Sequence, residues 1–167
     1  MKSILIILAL VAQAAVFGQS IEELDKKGGF KEFRVGDSLS VHQDKIKFMK
    51  TLDNADTKLY LVKELVSVKS YTGEVELEFY KGKIQEIIVS FKNSTKPGFE
   101  DILKSLETLY GKPEKSKEKS PGTARFERLL VWNGQQVILR LGYDENYKLT
   151  EMVYYGANSL AKLKEEF

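Results

Sequence analysis

The chain of 167 residues contains no cysteine, which excludes disulfides, thiol chemistry and any lipid anchor carried on a cysteine. Histidine is nearly absent as well: His42 is the single imidazole, so zinc sites of the usual Cys/His type are excluded. A general base or catalytic triad would have to use His42, and no Ser-His-Asp spacing or nucleophile elbow accompanies it. Its apolar helical neighbours make it a residue at the edge of a core. The chain has no Gly-rich phosphate cradle and no EF-hand loop pattern. It also lacks a large charge excess. The 26 basic and 24 acidic residues leave a formal net charge of +2, which gives no electrostatic footprint for nucleic acid.

The first residues read MKSILIILALVAQAAVFGQS. One basic residue, an apolar stretch and small residues at Val16 and Gly18 match a secretory signal peptide. The pattern predicts residues 1–18 as that signal peptide, with cleavage between Gly18 and Gln19. The apolar run is shorter than the ~20 residues needed to span a bilayer. The expected location is the periplasm or outside the cell, with no stable membrane anchor after cleavage. Residues 19–29 are polar and end in Gly-Gly, and are expected as a flexible lead-in. Residues 30–167 are expected as a single α+β domain, long enough to build a core without disulfides.

Strand patterns dominate the first half of this domain. After a short helix carrying Leu39, His42 and Ile46, the runs KFMKTL, KLYLV and LVSVKSY all read as strands. GEVELEFYKGKIQEIIVSFK then reads as a β-hairpin. A two-residue Lys81-Gly82 loop would set Leu77 opposite Glu86 and Glu76 opposite Ile87, splitting its apolar rows. A three-residue loop, Tyr80-Lys81-Gly82, keeps them together, pairing Leu77 with Gln85 and Val75 with Ile87.

Residues 97–110 are expected as the long helix. Phe99, Ile102, Leu103, Leu106, Leu109 and Tyr110 share one face, Pro97 opens the helix, and Gly111 and Pro113 close it. The polar loop KPEKSKEKSPG follows. Next, RFERLLVWNGQQVILRLGY predicts a second hairpin around Asn133-Gly134, with Trp132 facing Gln135 and Leu130 facing Val137. In that register Phe126 shares the apolar face, Glu127 falls opposite Arg140, and Gly134 takes a positive φ. A third strand, LTEMVYY, and a short final helix from Asn158 or Ser159 complete the chain. The fold class is therefore α+β: an antiparallel sheet of hairpins, with one long helix and short terminal helices packed on it. The two halves have a similar α-then-β outline.

The helix ending in Tyr110-Gly111-Lys112-Pro113, the strand with Trp132, the hairpin and the last strand carry a family likeness. Over about a third of its length the chain resembles small exported modules of the β-lactamase-inhibitor-protein and SmpA/OmlA type. The resemblance implies helices on one face of an antiparallel sheet, sometimes in tandem, and a protein that binds other proteins and catalyses nothing. The chain departs from SmpA/OmlA proteins in having no lipid-bearing cysteine.

Other clusters read as architecture. Glu74, Glu76 and Glu78 lie on one face of a strand, and Glu86 is expected opposite Glu76. Such carboxylates suit a hard cation or a glycosidase-like acid pair, but a solvated sheet face is the ordinary reason for them. The basic loop of Lys112, Lys115, Lys117 and Lys119 is offset by Glu114 and Glu118. Less ordinary is the second sheet face, where Ile84, Ile88, Leu129, Val131 and Ile138 point away from the main apolar rows. Either another element covers them or a partner does. The expected function is a non-enzymatic binding module without cofactor or metal. Its partner is expected to be an envelope or extracellular protein, contacted through Leu129, Val131, Ile138 and Arg140. The alternative is a small apolar ligand held in a pocket between sheet and helices.

Overall fold

A computed structural model describes residues 20–52, 54–116 and 125–158. The chain enters through helix α1 (Ile21–Lys27). Its acidic first turn and basic last turn complement the helix dipole, and Gly28, at φ 68°, closes it by donating its N–H to the Leu24 carbonyl. Leu24 is fully buried. Over residues 20–29 the expectation of a flexible lead-in is therefore corrected: burial of Leu24 and the hydrogen bonds of Asp25 fix these residues to the domain. A two-stranded ribbon follows, β1 (Gly29–Phe30) with β2 (Phe33–Arg34), and then the one-turn helix α2 (Leu39–His42).

The remaining strands form one antiparallel sheet. The first group is β3 (Ile46–Thr51), β4 (Thr57–Val62), β5 (Val66–Val68), β6 (Tyr71–Tyr80) and β7 (Lys83–Phe91). Helix α3 (Lys96–Tyr110) separates it from β8 (Glu114–Lys115), β9 (Arg128–Asn133), β10 (Val137–Asp144) and β11 (Leu149–Gly156). The spatial order is β3-β4-β6-β7-β11-β10-β9-β8, with β5 paired to the end of β6. Each group runs as a meander from an outer edge to the centre. There the last strands, β7 and β11, meet antiparallel with Ile88 opposite Val153. The architecture is α+β, with each half placing helix before strands.

Strand parity made the apolar faces readable, but both hairpin registers differ from expectation. In β6–β7 the loop is the two-residue Lys81-Gly82, both left-handed, at φ 49° and 76°. An extra residue, Gln85, bulges between the Glu78–Glu86 and Phe79–Ile84 pairs. That bulge keeps Leu77 opposite Ile87 and Val75 opposite Val89, on the same face as Phe79, without lengthening the turn. In β9–β10 the closing pair is Asn133–Ile138, so Leu130 faces Leu141 and Arg140 faces Val131, not Glu127. Gly134 is not among the positive-φ residues. The cause lies outside the hairpin. The Asp25 carboxylate accepts from the backbone N–H groups of Gln135, Gln136 and Val137 at 2.7, 2.8 and 2.9 Å, and this widened loop replaces the Asn-Gly turn. Burial opposes ionisation of Asp25, but the three donors together outweigh it and hold the carboxyl below its ordinary range.

The core fills the space between one sheet face and helices α1 and α3. Phe99, Ile102, Leu103, Leu106 and Tyr110 of α3 are all buried there. Each such apolar side chain contributes about 1.5–3 kcal/mol relative to exposure. Thr95 caps α3 through its side chain, which accepts from the Gly98 N–H. At the other end the Trp132 Nε1–H donates to the Gly111 carbonyl at 2.7 Å, joining the helix exit to β9. Phe126, expected on this face, instead lies over Gly142 on the opposite side of the sheet, where a Cβ would come within 2.7 Å of its ring. The expected signal peptide, the final helix beyond Asn158 and most of the polar loop after α3 lie outside the described residues. Among the described residues, no helix is long and apolar enough to cross a membrane.

Candidate functional surface

Strand β3 is an edge of the sheet. Only Ile46 of its six residues is buried. Phe48 and Met49 are 50% and 47% exposed, although both are large and apolar. Phe48 pairs with Tyr60 on β4 and so faces the core side of the sheet. There the apolar layer runs out to the edge as an aromatic row. Phe79, fully buried, meets Tyr60 edge-on at 5.2 Å between ring centroids, and Tyr60 meets Phe48 edge-on at 5.5 Å. A pocket of about 250 Å³ opens beside this row. Leu39, Ala55, Tyr60 and Phe79 line it, with Lys58 and Lys81 at its polar side. It is thus at the β4–β6 end of the molecule, not between α3 and the sheet.

The four residues singled out from the sequence do share the second sheet face, as their alternation requires. Val131 faces Arg140, Ile138 faces Tyr155 and Leu129 faces Gly142. Exposure separates them. Val131 and Ile138 are each only 8% exposed and pack with Tyr155, Val153 and Ala157 in a second small core. Leu129 is half-buried, and the Arg140 guanidinium lies 4.7 Å from the centre of the Tyr155 ring. Ile88 is half-buried on the same face, opposite Glu76 and Val153, whereas Ile84 packs in the main core opposite Phe79. A partner surface built on Val131 and Ile138 therefore has little area to offer.

The carboxylates on that face are not simply solvated. Glu86 stands opposite Glu78 on one side and Tyr155 on the other. Burial, reinforced by Glu78, pushes the Glu86 carboxyl up to about 7, while Arg140 pulls the other way. Burial likewise raises Glu151, although the Arg125 guanidinium lies 3.0 Å from both of its oxygens. Among the described residues, no three acidic or imidazole side chains are placed to hold a metal.

His42 is buried against the Phe33 ring, 4.9 Å between centroids. Its Nε2 is 2.9 Å from Asp37 Oδ2, which also accepts the Arg34 N–H. The imidazole and carboxylate thus brace the turn into α2.

Sequence reading missed the β3 edge. KFMK was legible as a strand, and its two adjacent apolar residues between lysines were the available signal. Which strand would stand at an edge was not legible.

Comparison with known proteins adds little. No family model matches the chain, and no curated protein does. Among solved structures it is similar to a cysteine-rich secretory protein from Staphylococcus aureus, with TM-score 0.43 and 14% identity, over 76% of this chain and 46% of that one. The chain thus spans less than half the length of that protein, and likeness at this level decides nothing about function.

Proposed function

We propose that the protein is an exported, non-enzymatic binding module that recognises another protein in the cell envelope or outside the cell. The contact centres on the β3–β4 edge, with Leu129 and Arg140 on the opposite face as a secondary contact. One observation carries the reading: the aromatic row Phe79–Tyr60–Phe48 leaves the core and ends half-exposed at a sheet edge. Exposed apolar surface of that kind marks interaction sites. The resemblance to exported protein-binding modules and the leader-like first residues support export and binding.

The second reading, a carrier for a small apolar ligand, draws on the pocket beside Tyr60. At about 250 Å³ the pocket falls below the roughly 300–1,000 Å³ of ordinary ligand sites, so the protein partner is preferred.

The test is photocrosslinking in envelope extract, with a photoreactive residue at position 48 or at 129. Phe48→Asp and Leu129→Asp serve as competitors. A specific partner should crosslink from position 48, and Phe48→Asp should fail to compete while melting as the parent does. Crosslinking from 129 alone would move the contact to the other sheet face. No specific product from either position would end the binding reading.

A further inference from the structure

The chemistry of the β3 edge specifies more than an apolar partner. Among the described residues no strand lies beyond β3, so one side of its backbone offers unpaired N–H and C=O groups. At the opposite edge, β8 is only two residues long, so β3 is the longer template. Its two faces differ sharply. Phe48 lies on the Tyr60 side, while Lys47 faces Leu61 and Lys50 faces Leu59 on the other.

Lys47 and Lys50 are three positions apart, and a regular strand would point them to opposite faces. The irregularity between Phe48 and Lys50 brings them to the same one. Neither is ion-paired among the described residues, and β3 contains no acidic residue. On that face the leucines of β4 separate the lysines from Glu76 and Glu78 of β6.

We propose that the partner presents an extended acidic segment, which adds to β3 as a further strand. Its carboxylates meet Lys47 and Lys50 on one face, and its apolar side chains continue the Phe48–Tyr60 row on the other. This rests on the binding-module reading above and names the partner's chemistry. A second copy of the chain does not fit. Two β3 strands set edge to edge would bring lysine against lysine, and like charges across strands repel. Edge lysines and bulges ordinarily guard against self-association. Here the same pair leaves the edge open to a segment of opposite charge. Strand addition draws affinity from the backbone and specificity from alternate side chains, as this arrangement requires.

The test uses acetylated, amidated peptides against the full mature protein, followed by calorimetry and by amide chemical shifts. The acidic probe is Glu-Val-Glu-Phe-Glu-Val-Glu. Its controls carry Lys or Ser in place of Glu, or N-methylated backbone at alternate residues. The acidic probe should bind, shift the amides of residues 46–51, and weaken with salt. The lysine and N-methylated forms should not bind. The Lys47→Glu/Lys50→Glu protein should lose about tenfold or more in affinity for the acidic probe and gain for the lysine form. Both positions are exposed, so its melting should match the parent.

Equal binding of the acidic and lysine probes, or of the N-methylated one, overturns the inference. If no probe binds while position 48 still crosslinks a partner, the edge meets a folded surface; the inference falls and the module reading stands. If no probe binds and nothing crosslinks, both fall.

Discussion

A Cβ on Gly134 would lie 2.4 Å from Oδ1 of Asp25, so the hairpin glycine is required by a carboxylate from the N-terminal helix. The same added carbon would meet the Val137 carbonyl at 2.4 Å. Close approach, not a left-handed backbone, is why glycine stands there. Gly134→Ala should therefore lower Tm. Asp25→Ala should do so independently, because three backbone donors lose their acceptor, at a cost of roughly 2–3 kcal/mol. In the double variant the combined loss should be smaller than the sum of the two, since one clash disappears while that with Val137 remains. Thermal melts of the four proteins check this. Full additivity would show that Asp25 and Gly134 do not act on each other.

Asp25 also sets an acid limit. Its carboxyl is depressed in the folded state, so its contribution is present above the ordinary unfolded value and is lost as pH falls through the folded one. The stability difference between the parent and Asp25→Asn should shrink in acid. A difference that stays constant down through the carboxylate range would argue against an ionised cap.

Glu86 works with the opposite sign. Its pKa is raised from 4.5 to about 7, so the folded state holds the proton more tightly than the unfolded chain. Stability from this group is full below about 4.5 and is eroded as pH rises to about 7. Glu86→Gln keeps the shape and removes the titration. It should be more stable than the parent at pH 8, by on the order of 3 kcal/mol, and close to it at pH 4.5. Identical pH profiles for the two proteins would refute the argument.

His42 should matter to the fold and not to binding. His42→Ala leaves a gap against Phe33 and releases Asp37, and should cost about 2–3 kcal/mol in a denaturant titration. Crosslinking from position 48 should survive at temperatures where the variant is folded. Loss of function with the fold intact would require chemistry at the imidazole.

Export makes its own test. Intact mass of protein recovered outside the cytoplasm should begin at Gln19. Protein still carrying Met1–Gly18 in a membrane fraction would contradict the cleavage.

Alternation and helical spacing in the sequence determined the α+β class, the long helix and the faces of the strands. These signals are local, and side-chain direction repeats every two residues in a strand whatever it pairs with. Both hairpin registers were misread, yet the faces survived wherever the slip was even; Ile84, expected on the second face, is turned into the main core by the Gln85 bulge. Leu130 moved from position 137 to 141, and Leu77 from 85 to 87. Phe126 lies before β9 begins, and there the alternation no longer governs.

Tertiary structure decided the rest. Asp25 reached across the fold to widen the second hairpin, overriding an Asn-Gly pair that locally favours a tight turn. Burial turned Val131 and Ile138 from a candidate surface into a small core, and Glu86 from a solvated charge into a perturbed acid. The edge position of β3 exposed Phe48 and aligned Lys47 with Lys50 through a bulge. Each depends on which distant segments become neighbours, and periodicity within a segment carries no record of that.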